Sequence, residues 1–509
     1  MIRHAIGFFC LFLVACGNGV AEGPDGGTPD ASLDAGLDGG GMDAGSDGGA
    51  DGGFDGGGAD GGGADGGAEP FFDLDAIRDA STAGCTFENE RRAVKDLVAL
   101  VVWDVSYTSW ESIDGVLQPI TIRGFAARPQ AATGAIPGVV QAHGLGGYAE
   151  VDNATGPAAL LGTFVLAFTG PGGGTVPENT SEGLGPSARR GRRLFDTIPD
   201  PRGSWIWSHT VAGLRGLTCL ATRPEVDTTR LGFTGYSAGG VATLIASGVD
   251  DRIVAGVPLS ASLRWELAVA SPNAWQHDLL ESGGLDTSSP EWLALVEALD
   301  AEALLSGTTA AIWMVNGSSD EFFPLPAHFA TYDAFDHASR RSTLIGNGDH
   351  GCLVALGVPG IDAPSEIQAR ADLRARGAQR AWFHHHFGTD AAYACLPETP
   401  TFTLTPLGAV TQVDARVDTT CAGLQAEAAE VWWSGDGGLT FLRVGLDDQG
   451  GGAFAKLAAF PTDAGTVAFV DVTYRTDDFF SPERFSVSTR PVLPAGFVPR
   501  VFDTTCAVP

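Results

Sequence analysis

At 509 residues the chain is too long for one ordinary domain, and a hydrophobic content of 44% is enough for a sizeable core. Acids outnumber bases 62 to 30, and the imbalance persists beyond the N-terminal region, with 50 acids against 29 bases from residue 70 onward. Such a surface repels phosphate backbones, which argues against nucleic acid as a partner, and eight cysteines in so long a chain do not describe a small disulfide scaffold.

Residues 1–15 read as a signal peptide: Arg3 supplies positive charge, and the apolar run over 5–14 is too short to span a membrane. The run ends Leu13-Val14-Ala15-Cys16, which resembles a bacterial lipobox. That resemblance implies cleavage before Cys16, acylation of its thiol with a fatty chain such as palmitate, and a membrane as partner through this anchor. Gly17 in place of an Asp retention signal implies the outer membrane. Export also means an oxidising compartment, where disulfides form.

Residues 16–69 form a tether. From Gly19 it is almost entirely Gly, Asp and Ala, with little to bury and charges that repel, so it is expected to be disordered. A Gly-rich coil of that length spans about 40 Å. The Gly-Gly-x-Gly-x-Asp register of calcium-binding β-helices is not matched.

Residues 70–396 are expected to form an α/β domain. Segments 95–107 and 117–127 read as a hairpin turning at Ile113-Asp114-Gly115. Short apolar runs of buried-strand type follow at 138–142, 164–168, 230–235, 253–259, 311–316 and 342–345. Helical patterns lie at 205–221, 238–247, 326–338 and 365–387. This alternation predicts a doubly wound, mostly parallel sheet covered on both faces. The pattern changes near Pro397: β-rich runs at 429–433, 440–444, 466–474 and 485–489 predict a small all-β, immunoglobulin-like sandwich over 397–509. This second domain reads as a structural brace more readily than as a glycan or cell-wall binder. The stretch 418–422 recurs as 503–507, which suggests a Cys421–Cys506 bridge, and Cys85, Cys219, Cys352 and Cys395 allow two more.

The chemistry centres on Gly235-Tyr236-Ser237-Ala238-Gly239-Gly240, entered by a strand and left by an Ala- and Leu-rich helix. A serine on such a turn exposes its hydroxyl beside a helix N-terminus, so Ser237 is the expected nucleophile. Upstream, His143-Gly144-Leu145-Gly146-Gly147 follows another strand. The backbone N–H groups of Leu145 and Ala238 are the expected oxyanion donors. His143 precedes the nucleophile, which is the wrong chain order for its base, and reads as holding this loop. The acid is expected at Asp320, after the strand at 311–316, with Glu321 a weaker substitute and Asp336 too far along the next helix. The base is expected at His350, in Gly346-Asn347-Gly348-Asp349-His350-Gly351, ahead of His328, His337 and the run His384-His385-His386. That run points in several directions on a helix, and no metal or other cofactor is expected. Gly170–Gly174 lacks the Gly-Lys-Ser/Thr of a nucleotide loop.

Together these residues resemble the α/β-hydrolase superfamily over about residues 97–387, and within it secreted esterases of the dienelactone-hydrolase and acetyl-xylan-esterase type. Arg223-Pro224-Glu225-Val226-Asp227 with Arg230-Leu231-Gly232-Phe233-Thr234-Gly235 carries the likeness, as does Asn316-Gly317-Ser318-Ser319-Asp320 followed by Phe322-Phe323-Pro324. The resemblance implies a Ser-Asp-His serine hydrolase acting on a small-molecule or polysaccharide-linked ester. Gly170-Pro171-Gly172-Gly173-Gly174 departs from the Asp-Arg-Gly type of loop often found there. A prolyl-oligopeptidase-like peptidase is a second reading, without the usual propeller repeats, and a non-catalytic surface-binding protein a third. Two segments are candidate lids. Residues 176–202 carry Arg189, Arg190, Arg192 and Arg193, which suit an anionic substrate group or, more simply, nearby acids. Residues 263–305 carry Trp265, Trp275 and Trp292, which suit a cleft or the core.

Overall fold

The computed structural model describes residues 71–189, 192–271, 274–300, 304–335, 339–350, 364–462, 465–478 and 482–498. The expected signal peptide, Cys16 and the tether lie outside these, as do Arg190, Asp336, His337, Cys352 and Cys506. Among the described residues no helix is long and apolar enough to cross a membrane.

A short helix, α1 (Leu74–Arg78), precedes an antiparallel meander of β1 (Thr86–Lys95), β2 (Val98–Ile113) and β3 (Val116–Pro129). Strands and helices then alternate: β4 (Ile136–Ala142), α2 (Val151–Leu161), β5 (Phe164–Phe168), α3 (Trp205–Ala221), β6 (Val226–Tyr236), α4 (Ala238–Val249) and β7 (Ile253–Leu259). Three helices, α5 (Trp265–Ala268), α6 (Trp275–Ser282) and α7 (Pro290–Leu299), intervene before β8 (Ala311–Gly317), α8 (Leu325–Ala334), β9 (Arg340–Ile345) and α9 (Pro364–Phe387). The strands assemble in the order β1-β2-β3-β5-β4-β6-β7-β8-β9. Pairing is antiparallel as far as β3–β5 and parallel from β5–β4 to β8–β9. This is the α/β-hydrolase fold.

The hairpin between β2 and β3 turns through Asp114 (φ 51°) and Gly115 (φ 75°). Two successive left-handed residues suit the right-handed twist of the strands, and Asp-Gly tolerates that backbone. Both strands run longer than expected, because their outer ends carry polar residues without strong alternation. Edge strand β1 and helix α2 were not expected. The first is mostly charged or polar, and the second contains Gly156 and Pro157.

Period-two alternation sorts the strand side chains between two faces. Val101, Trp103, Phe164, Leu166, Phe233, Ile312 and Met314 pack under α3 and α4. Val102, Val139, Val165, Ala167, Trp313 and Val315 pack under α2 and α9. Burial of nearly the whole surface of α3 takes in Arg215, whose guanidinium donates to the carbonyls of Ala76, Ile77, Asp79 and Thr108 and so pins α1 to the sheet.

The remaining strands are β10 (Thr401–Pro406), β11 (Thr411–Arg416), β12 (Leu424–Ser434), β13 (Leu442–Gly445), β14 (Asp447–Gly450), β15 (Ala453–Ala458), β16 (Val467–Thr476) and β17 (Arg484–Ser488). They form two antiparallel sheets, β10-β11-β15-β14 and β13-β12-β16-β17, the sandwich the pattern predicts. Its core is continuous with the second face of the large sheet, where Phe485 meets Trp313 edge-on at 5.8 Å. Ser488 accepts the N–H of Leu344 at 2.8 Å, so β17 covers the edge that β9 would otherwise leave open.

Cys85 pairs with Cys219, joining the segment before β1 to α3. Cys421 pairs with Cys395, which corrects the expected Cys421–Cys506 bridge. The cause is the hairpin: β10 and β11 pair Thr401 with Arg416, so the segment entering β10, with Cys395, and the segment leaving β11, with Cys421, emerge side by side from the same end of the pair. Peptide mapping without reductant should recover Cys85 with Cys219 and Cys395 with Cys421. Replacing both Cys85 and Cys219 by serine should lower stability by about 2–5 kcal/mol in urea unfolding.

Candidate active site

Ser237 sits between β6 and α4 with φ 55° and ψ −121°, a backbone region that side chains rarely occupy. Close packing enforces it. A Cβ on Gly235 would lie 2.4 Å from the carbonyl oxygen of Gly239, and one on Gly239 would lie 2.4 Å from that of Ala142. Hydrogen alone fits at both positions, which is why the two glycines flank the serine. The Ser237 N–H donates to Leu259 O at 2.9 Å, tying the turn to the end of β7.

The structure brings the three expected side chains together. His350 Nε2 lies 2.8 Å from Ser237 Oγ. On the other side of the ring, His350 Nδ1 lies 3.2 Å from each oxygen of Asp320. Asp320 Oδ1 also accepts the N–H groups of Phe322 and Phe323, at 2.9 and 2.8 Å, which fixes the carboxylate. All three are buried, at 6% exposure for Ser237, 4% for His350 and 1% for Asp320. The Phe322 ring stacks on the imidazole with centroids 4.1 Å apart.

Glu321 does not take the place of Asp320. Its Oε2 accepts the backbone N–H of His350 at 2.9 Å, and Tyr236 donates its hydroxyl to His350 O. The histidine is therefore held by its backbone as well as by its ring. Sequence reading missed both roles, since a residue adjacent to a motif carries no periodic signal of its own. Burial and the neighbouring Asp320 push the Glu321 carboxyl above its ordinary range. For His350, burial disfavours the imidazolium, but the Asp320 and Glu321 charges outweigh it and the pKa is raised.

The loop after β4 lies against Ser237, since a Cβ on Gly144 would sit 3.2 Å from Ser237 Cβ. Leu145 follows it in a tight turn closed by the Gly147 N–H to Gly144 O bond at 3.0 Å. Ala238 is the first residue of α4, so its N–H has no acceptor within the helix. His143 holds this loop, as expected. Its Nε2 accepts the Gly170 N–H at 2.7 Å, which puts the proton on Nδ1, and Nδ1 donates to Gly144 O at 2.6 Å. Burial lowers its pKa to about 4, so the ring stays neutral.

The other candidates have different partners. His328 is buried against Ser342 Oγ at 2.9 Å, with its pKa lowered to about 3 by burial. His384 meets Thr389, His385 meets the Tyr393 carbonyl and His386 packs on Trp382, so the run is dispersed as expected. Arg189 pairs with Asp114 and Asp196, Arg192 with Glu291, and Arg193 with the buried Glu111, which favours the reading that these arginines meet acids. Trp265 and Trp292 lie in the core with rings 6.5 Å apart. Among the described residues no group of three His, Cys, Asp or Glu could hold a metal ion.

No protein-family profile matches the chain, and no curated protein matches it in sequence. Solved structures similar to it include the acetyl xylan esterase from Paenibacillus sp. R4, at 20% identity over 59% of this chain and 90% of that one, with a TM-score of 0.44. Acetyl xylan esterase 1 from Thermoanaerobacterium sp. JW/SL YS485 matches at 16% identity over 59% and 93%, TM-score 0.43. Est1E from Butyrivibrio proteoclasticus, with ferulic acid bound, matches at 17% over 52% and 96%, TM-score 0.34. Likenesses this distant say nothing of the substrate.

Buried and half-buried neutral histidines make the fold acid-sensitive. His143 and His328 hold lowered pKa values, and burial takes His209, stacked on Trp205 at 4.4 Å, well below the ordinary range. The unfolded chain binds protons on these rings below about pH 6.5, before the folded one does, so stability falls as pH falls. Replacing His209 with phenylalanine should flatten the fall in urea-unfolding stability between about pH 6 and pH 4.5 by up to ~1.4 kcal/mol per pH unit.

Proposed function

We propose that the protein is a serine hydrolase that cleaves a carboxylic ester through an acyl-enzyme intermediate. The observation that carries this reading is the unbroken line from Asp320 through His350 to Ser237 Oγ, in the chain order Ser, Asp, His. His350 Nε2 takes the Ser237 proton as Oγ bonds to the carbonyl carbon. Asp320 keeps the imidazole proton on Nδ1 and stabilises the imidazolium that forms. The oxyanion accepts from the N–H groups of Leu145 and Ala238, each worth about 3 kcal/mol in the transition state. The intermediate collapses, and the leaving alcohol takes the proton from His350. Water then attacks the acyl carbonyl, gives its proton to His350 and releases the acid, and the proton returns to Ser237.

The substrate class we assign is a small-molecule or polysaccharide-linked ester. The setting we assign is the bacterial cell envelope, with a lipid on Cys16 in the outer membrane and the Gly/Asp-rich tether carrying the enzyme away from the bilayer. Support for this setting comes from the sequence of residues 1–69 alone.

A fluorophosphonate probe should label Ser237, identified by mass spectrometry of the modified peptide, and p-nitrophenyl esters should turn over. Ser237→Ala should lower kcat by about 10⁵–10⁶-fold with Tm nearly unchanged. Normal turnover in that variant, or peptide amides cleaved faster than esters, would overturn the reading. The base works only when neutral and its pKa is raised, so kcat/KM should rise with pH through a midpoint above about 6.5. Glu321→Gln keeps the acceptor for the His350 N–H but removes a charge that favours the imidazolium. Its midpoint should move to lower pH.

A further inference from the structure

The C-terminal sheets touch the two loops that carry Asp320 and His350. Asn347, three residues before His350 and 4% exposed, grips one peptide edge of the sandwich. Its Nδ2 donates to Phe441 O at 2.9 Å, and its Oδ1 accepts the Phe441 N–H at 2.7 Å. This is a two-point bond to backbone, and it holds Asn347 in the left-handed region at φ 59°. Two residues before Asp320, Ser318 Oγ accepts the Asn347 N–H at 2.9 Å, and the next residue, Ser319, donates its hydroxyl to Leu439 O at 3.2 Å. The acid and base loops are therefore bonded to each other and, side by side, to the segment between β12 and β13.

Packing makes the same contact stiff. A Cβ on Gly346 would lie 2.4 Å from the ring of Trp432, so the indole presses directly on the base loop. Arg370 lies over the far part of this arrangement, donating to Gly346 O at 2.9 Å with its guanidinium 4.7 Å from the Trp432 ring centre. The docking segment is internally braced. Asp436 Oδ1 accepts from Ser434 Oγ at 2.6 Å and from the Thr440 N–H at 3.0 Å, while Gly438 N–H donates to Ser434 Oγ at 2.9 Å. Trp432, Phe441, Val467 and Phe469 of the sandwich share one apolar cluster with Leu325, Phe329 and Leu344 of the hydrolase fold.

We infer that the C-terminal sandwich positions the catalytic acid and base, with Asn347 as the residue through which it acts on His350. The inference rests on the triad reading above. The reacting line depends on distances of 2.8 and 3.2 Å across His350, and a displacement of about 1 Å at such a centre costs about 100-fold in rate. Asn347 touches no reacting atom in the proposed cycle, so it is a positioning residue. Asp436 works one step further away, keeping the 434–441 segment in the shape that Asn347 and Ser319 meet.

The test uses the full chain. Asn347→Gly removes both bonds to Phe441 and keeps a residue suited to positive φ. It should lower kcat about 10–100-fold with KM within about threefold, and shift the acid limb of kcat/KM to lower pH as Asp320 loosens its hold on the imidazolium. Asp436→Ala, on the sandwich side, should lower kcat in the same sense by about tenfold or less. The second readout needs no turnover. The low-field proton resonance of the His350 Nδ1–H bonded to Asp320 should be present in the wild type and weakened or moved in Asn347→Gly. Unchanged kcat, pH profile and resonance in both variants, with folding verified by circular dichroism, would overturn the inference, as would absence of the resonance in the wild type. A wild type that shows the resonance but resists fluorophosphonate at Ser237 would instead sink the serine-hydrolase reading, and the resonance in Asn347→Gly would still decide the positioning role.

Discussion

The structure is organised around one crowded point, where β4, the Ser237 turn and α4 meet. Ser237 holds a backbone conformation that costs about 1–3 kcal/mol, and it does so because the carbonyls of Ala142 and Gly239 leave space for nothing larger than hydrogen at Gly235 and Gly239. The close approach draws the loop after β4 against Ser237. It also directs α4 away from the turn, so that the first N–H of the helix has no acceptor within the helix. Placement of β5 outside β4 lets His143 bridge the two loops through Gly170 and Gly144. A fault at this turn would therefore reach Ser237, the loop after β4 and the helix together.

Electrostatics within the fold depends on burial more than on the acidic surface. His209 and His328 are buried and His143 is half-buried, none with a carboxylate bonded to the ring, and desolvation keeps them neutral. His350 is buried too, yet its pKa moves the other way, because Asp320 and Glu321 are placed against it. The same side chain is thus a neutral bracket at one position and an imidazole with a raised pKa at another, and the difference is the partner supplied by neighbouring loops. Arginines follow the same logic. Arg193 is buried beside Glu111, while Arg189 and Arg192 lie at the surface against acids, so none of these three adds an uncompensated positive charge to the site.

The β-sandwich is not an appendage. Phe485, Val487 and Val431 fill one core with Trp313, Trp382 and Phe383, and Ser488 and Ser486 bond the edge strand β9. An edge strand ending next to the His350 loop needs such a cover, since open backbone there would be free to pair with another chain. Covering the edge also brings the 434–441 segment onto Ser319 and Asn347. Protection of the sheet edge and support of the loops that carry Asp320 and His350 are thus consequences of one packing arrangement.

Local information was sufficient wherever the physics is local. The strand runs at 253–259 and 311–316, the helix at 205–221 and the glycines around Ser237 were legible because burial period, helix period and a turn that excludes side chains are each written within a dozen residues. That Ser237, Asp320 and His350 meet was legible from their positions after β6, β8 and β9. Strand β1 and helix α2 were not legible, since a charged edge and a helix containing Gly156 and Pro157 lack the usual pattern. What only tertiary structure decided are the pairings: Cys421 with Cys395, Arg193 with Glu111, Glu321 with the backbone of His350, and Asn347 with Phe441. Each joins residues whose separation along the chain says nothing of their distance in space, and that distance is set by strand register and by which faces share a core.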